Sequence, residues 1–256
     1  MTLGEQLRAG ETVHSAWSAI ADPLTVECIA ALDFDAVTLD MQHGAHHEDS
    51  VVRALPSILQ GGKHALVRIP VSRFDMASRA LDFGAEAVIA PMINSVRDAE
   101  LFAASMKYPP VGERSWGPTF AMRRHSKTDP GEWLRRSNSG TLALAMIETR
   151  SALDCLDGIL AVEGIDGVFV GPSDFSIAWS EGRTIDPALP EMMDTIAGIA
   201  ERAAKAGKPS GIYVMNTALT GRYHAMGYRL FAHGVESAYM AIGAAAILSK
   251  ARESIG

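Results

Sequence analysis

The stretch LALAMIETRSALDCLDGILAVEGIDGVFVGP, residues 142–172, sets the architecture. Its first six residues are apolar without a break, as in a strand covered on both faces, and they stop at the carboxylate of Glu148. Residues 149–162 then carry Leu, Ile and Val at helical intervals, and GVFVGP at 167–172 is a second short apolar run with a turn behind it. Strand, helix and strand in that order make a crossover unit whose two strands run parallel.

The same alternation extends in both directions. Short apolar or β-branched runs recur near 12–18, 36–41, 64–70, 87–93, 142–148, 167–172, 210–215 and 229–235. Helix-patterned segments lie between them, among them 22–33, 95–107, 149–162 and 190–207. Eight such repeats predict a (β/α)₈ barrel. A doubly wound open sheet is the structural rival, but it calls for a glycine-rich phosphate turn, and neither GxGxxG nor GxxxxGK[ST] occurs. No Pro, Gly and Ser-rich linker divides the chain, so residues 1–256 are expected to form one domain. The segment 108–140, YPPVGERSWGPTFAMRRHSKTDPGEWLRRSNSG, reads as a long connection, either functional, in contact with another chain, or simply solvated.

A net charge of −7 argues against a nucleic-acid or anionic-membrane surface and leaves small solutes as the expected partners. Cys28 and Cys155 have no metal-type spacing and are expected to be buried free thiols. The N-terminal residues lack a basic start followed by an apolar core, and no apolar run approaches the ~18 residues of a membrane span. A reduced, cytoplasmic protein is expected.

A barrel of this kind works at the C-terminal ends of its strands. There the sequence is polar: Trp17 after the first run, Asp40 and His43 after the second, Arg68 in the third, Glu148 after the fifth, Asp174 after the sixth. Glu148 and Asp174, one βα repeat apart, are expected about 5 Å from each other. Two bare carboxylates at such range repel by about 4 kcal/mol at an effective dielectric near 20, so they share a proton, meet cations or hold a metal. The other reading makes each a helix cap. Carboxylate ligands suit Mg²⁺, Mn²⁺ or Co²⁺ and leave room for a chelating 2-oxo acid. The turn GPSD (171–174) offers backbone N–H groups to a carboxylate, and Arg68 either faces an anion or forms a salt bridge across the barrel.

In DMQHGAHHED, His43 lies three residues after Asp40, which is expected to orient its ring as a general acid/base, or else His43 is a satisfied bystander. His46 and His47 read as solvated residues before a helix capped by Glu48 or Asp49, although they also invite a non-catalytic metal-holding reading. The lysines Lys63, Lys107, Lys127, Lys205, Lys208 and Lys250 fall outside the strands, which argues against Schiff-base chemistry.

Taken together, AWS, LDMQHG, LVRIP, LDFGAEAVIAPM, KYPPVGERSWGP, MIETRSALD, VEGIDGVFVGPSDFS, SGIYVMN and FAHGVES resemble the HpcH/HpaI aldolases, metal-dependent pyruvate aldolases, over nearly the whole chain. The resemblance implies a barrel of the phosphoenolpyruvate/pyruvate superfamily, in a homohexamer, a trimer of dimers that exchange their C-terminal helix. It implies a divalent metal held by Glu148 and Asp174, an enolate-stabilising Arg68 and a His43–Asp40 proton-transfer dyad. Gly171, Ser173 and Asp174 would bind the pyruvate carboxylate, Trp17 and Tyr213 would shape the aldehyde pocket, and Asp82 would reach a neighbouring subunit's site. Gln42 and Met146 stand where many relatives have Glu and Gln. The implied activity is reversible cleavage of a 4-hydroxy-2-oxo acid to pyruvate or hydroxypyruvate and an aldehyde. An acyl-CoA lyase of the same superfamily is the alternative, with Arg123, Arg124, Arg135 and Arg136 as its candidate nucleotide cluster.

Overall fold

A computed structural model describes residues 1–127 and 129–255. The strands are β1 (Val13–Ser18), β2 (Ala36–Asp40), β3 (His64–Arg68), β4 (Ala87–Ala90), β5 (Leu142–Ile147), β6 (Gly167–Val170), β7 (Ser210–Val214) and β8 (Leu230–His233). They pair in parallel in chain order, and β8 returns to β1, closing a barrel. Each strand lies within one of the apolar runs, and most end before the run does, where polar residues turn into the loops.

Helices α1 (Leu3–Arg8), α2 (Pro23–Ala30), α3 (Glu48–Gln60), α4 (Phe74–Phe83) and α5 (Val96–Met106) belong to the first half. The segment 108–140, read as a connection, folds into α6 (Thr119–Arg124) and α7 (Pro130–Gly140), packed against α4 and α1 respectively. Of the arginines read as a nucleotide cluster, Arg124 donates to the carbonyls of Phe83 and Val52 and Arg136 makes a surface pair with Glu132 at 3.5 Å, while Arg123 and Arg135 are exposed. The expected helix at 149–162 breaks at Cys155 into α8 (Arg150–Asp154) and α9 (Leu156–Ala161). Then follow α10 (Pro172–Trp179), α11 (Met193–Lys205), α12 (Thr220–Ala225) and α13 (Glu236–Glu253).

Alternation along the strands sorts side chains into two cores. Leu66, Ile89, Leu144, Phe169 and Leu230 fill the barrel interior, and Leu3 and Leu7 of α1 join them from below, sealing the N-terminal end. Val37, Val67, Val88 and Val168 face outward into the layer shared with the helices. At about 1.5–3 kcal/mol for each fully buried large aliphatic side chain, these two layers are the main source of stability.

The expected burial of both cysteines fails, Cys155 being only half-buried. Cys28 is exposed, because α2 turns Val26, Ile29 and Ala30 inward and leaves Cys28 on the outer face. The final helix α13 buries only Glu236, while Met240, Ile242, Ile247 and Leu248 stand in solvent. No helix among the described residues is long and apolar enough to cross a membrane.

Candidate active site at the C-terminal mouth of the barrel

The parity that fills the barrel also builds the site. Continuing the inward series by one step brings up Asp40 on β2, Arg68 on β3, Met146 and then Glu148 at the end of β5, Gly171 after β6 and Tyr213 on β7. A cavity of about 270 Å³ opens there, and its walls include Trp17, Asp40, His43, Arg68, Ser173, Asp174 and Tyr213.

Asp40 is 2% exposed and saturated with donors. Arg68 Nε donates to Oδ1 at 2.9 Å and Nη2 to Oδ2 at 2.7 Å, while Trp17 Nε1 donates to Oδ2 at 3.2 Å. The backbone N–H groups of Gln42, His43 and Gly44 complete the set. Burial works against the charge, but the Arg68 bonds and charge, with help from Gln42 and Trp17, hold Asp40 below the usual carboxylate range. The expected contact with the His43 ring is absent: Asp40 receives the His43 backbone N–H at 3.4 Å, and its carboxylate is turned to Arg68 instead. A two-pronged guanidinium at the paired register position of the next strand outcompetes an imidazole three residues along the loop. His43 itself is exposed on the cavity wall. Arg68 thus pairs with the neighbouring strand, not across the barrel, and faces the cavity at once, its guanidinium 4.8 Å from the Trp17 ring centre.

Glu148 is 1% exposed. Its Oε1 accepts the N–H of Met92 at 2.7 Å, and Met92 adopts φ +54°, a left-handed backbone that aims this donor. Its Oε2 is buried without any donor. Desolvation, opposed by the Met92 bond, assisted by the charge of Asp174 and eased by that of Arg68, pushes the Glu148 carboxyl up to about 7. Gly171 lies close beside it, and a Cβ there would sit 2.5 Å from Glu148 Oε2 and from Met146 Cε, so both side chains would have to shift. Neither carboxylate is a helix cap: Thr149 caps α8, and Gly171 occupies that position in α10, with Asp174 in the first turn. Among the described residues no group of three or more His, Cys, Asp or Glu gathers as a metal site. Glu148 feels the charge of Asp174, and its buried oxygen without a donor is the kind of group that a cation would satisfy.

Tyr213 packs edge-on to Trp17 at 5.1 Å and donates to the carbonyl of Gly234. Asp82 lies apart from this cavity within the chain, on α4, paired to Arg114 at 2.6 Å. The histidine loop is also rearranged. His47, not Glu48 or Asp49, caps α3, and His46 is 4% exposed, bonded to Ser18 and Ser50, which removes it from any solvated metal loop. Sequence reading missed Glu236, whose carboxylate takes the Ser18 hydroxyl at 2.6 Å and the N–H groups of Ala19 and Ile20. Only its place at the start of a helix could have hinted at it. It also missed Met92, which no pattern marks.

Comparison with known proteins agrees with this fold. The family described as HpcH/HpaI aldolase/citrate lyase matches residues 14–241. A hydroxypyruvate/pyruvate aldolase of Rhizorhabdus wittichii is 38% identical over 204 residues, 80% of each chain. A 4-hydroxy-2-oxo-heptane-1,7-dioate aldolase of Salmonella dublin is 31% identical over 246 residues, 96% of this chain and 92% of that one. The crystal structure of an HpcH/HpaI aldolase from Desulfitobacterium hafniense superposes with a TM-score of 0.88 at 25% identity, covering 99% of this chain and 97% of its own.

Proposed function

The chain belongs to the HpcH/HpaI aldolase/citrate lyase family, and from that premise we propose that it is a metal-dependent aldolase that cleaves 4-hydroxy-2-oxo acids to pyruvate or hydroxypyruvate and an aldehyde. The observation that carries this reading is the buried Glu148 oxygen left without a donor beside Asp174. Glu148 and Asp174 would hold the dication, and all-oxygen ligation favours Mg²⁺, Mn²⁺ or Co²⁺. When bound, such an ion supplies Lewis-acid stabilisation of charge on the keto oxygen.

The chain's own groups do the rest. Backbone N–H groups at Gly171, Ser173 and Asp174, at the start of α10, receive the substrate carboxylate. Arg68 spends Nε and Nη2 on Asp40, which leaves Nη1 for the oxygen that becomes the enolate. His43 is the imidazole on the cavity wall, and one of its ring nitrogens accepts the proton of the C4 hydroxyl. The C3–C4 bond then breaks, its electrons pass to the C2 carbonyl, the aldehyde departs, and the proton returns to C3. Asp40 acts through Arg68 and the His43 backbone as a positioning residue, since its carboxylate is fully occupied. Trp17 and Tyr213 bound the aldehyde side.

The relatives named as aldolases favour this over the acyl-CoA lyase reading. Residues 1–256 act as one domain, in a homo-oligomer, a hexamer as trimer of dimers, in which the bare apolar side of α13 is covered by another copy and Asp82 faces a neighbour's cavity. Two free cysteines fit a reducing, cytoplasmic setting. The test is pyruvate release from a panel of 4-hydroxy-2-oxo acids by chelator-treated protein with each ion restored. Full turnover by Glu148→Ala in chelator would overturn the proposal.

A further inference from the structure

A second cavity, of about 200 Å³, opens at the opposite, closed end of the barrel, between α1, the end of α4 and α7. Its walls carry two cationic side chains without a carboxylate partner among the described residues, Arg8, which donates to the Ser139 carbonyl at 3.2 Å, and Lys127. The carboxylates on the same walls have partners of their own: Glu86 the His64 ring at 3.0 Å, Glu5 the Thr2 N–H at 2.7 Å, Glu132 the Arg136 guanidinium at 3.5 Å.

The same walls hold unmet donors. Arg114, 4% exposed, uses Nη2 on Asp82 but leaves a buried Nε without an acceptor, and Trp133 leaves its buried indole Nε1 unpartnered. Among the described residues, the only other buried side-chain nitrogen in this condition is His233 Nδ1, whose need for a partner depends on its tautomer. Buried N–H groups in native proteins are almost always satisfied, by protein, water or ion. Two such donors and two unpaired cations around one cavity share a single chemical need, which is oxygen acceptors bearing negative charge.

We propose that this cavity binds a small multivalent oxyanion, a phosphate or a short dicarboxylate, held by Arg8 and Lys127, with Arg114 and Trp133 adjusting to donate. Bound there, it ties α1 to α7, two elements that meet only at this end of the barrel. The site is separate from the catalytic mouth and does not depend on the reading given for it.

The test is calorimetric titration of inorganic phosphate and, separately, succinate into the full chain loaded with Mg²⁺. Saturable binding of either is expected, unchanged in Arg68→Ala and weakened about tenfold or more in the Arg8→Gln/Lys127→Gln double variant, a loss of about 1.4 kcal/mol. Trp133→Phe, which keeps the ring and removes the donor, should weaken it by a smaller factor and guards against misfolding of the double variant. The tighter of the two probes identifies the ligand as phosphate-like or dicarboxylate. No saturable binding at millimolar concentrations, or binding abolished by Arg68→Ala and untouched by the double variant, would overturn the proposal.

Discussion

Glu148 carries the sharpest consequences at the level of single residues. Its carboxyl stands near 7 in the fold against an ordinary 4.5, so between those values the native state holds a proton that the unfolded chain has lost. The contribution of Glu148 to the stability of the metal-free protein is therefore fully present below pH 4.5 and is lost as pH rises through 7, about 3 kcal/mol in all. Glu148→Gln should melt higher than the parent at pH 8 without metal, lose that advantage at pH 5, and show no metal-dependent turnover; melting curves at the two pH values decide it. Arg68→Ala removes the guanidinium from a buried Asp40, which should cost about 3–5 kcal/mol of stability by denaturant unfolding and reduce kcat by about 10²–10³. The site's identities were legible because inward parity along a strand is readable in a sequence. Its pairings were not. Whether Asp40 turns to His43, three residues on, or to Arg68, one strand over, depends on side-chain directions that spacing does not encode, and the same holds for His46 beneath Ser18.

Elements position these groups, and their faults are local. Eight strands could be read because each is a compact apolar run between polar loops, whereas the break at Cys155 and the two helices in 108–140 could not, since short helices with weak apolar stripes look like connections. Lys107 illustrates what such a segment hides: 1% exposed, it pairs with Asp166 at 2.6 Å and donates to the carbonyls of Asn138 and Thr141, fastening α7 to the start of β5. Lys107→Met leaves all three acceptors without their cation and should lower stability by about 3–5 kcal/mol, with kcat little changed because the mouth lies at the other end. At the mouth itself, Gly171→Ala drives a methyl against Glu148 Oε2. A stability loss of about 1–3 kcal/mol is expected, with weaker Mn²⁺ binding by electron paramagnetic resonance.

For the molecule as a whole, the barrel was predictable and its outer surface less so, because exposure of α13 depends on what else is present. A chain ending at residue 238 removes the apolar length of that helix while keeping Glu236 on its Ser18 and Ala19 partners. It should run as a smaller species by light scattering after gel filtration than the full chain. The plug of Leu3 and Leu7 has an effect of its own. With the floor stopped, every molecule that enters must leave by the way it came, so on the proposed reading a keto acid bound at the bottom of the mouth departs only after the aldehyde above it. Cleavage should therefore release its two fragments in a fixed sequence, and added pyruvate should inhibit competitively against the hydroxy-oxo acid while added aldehyde does not.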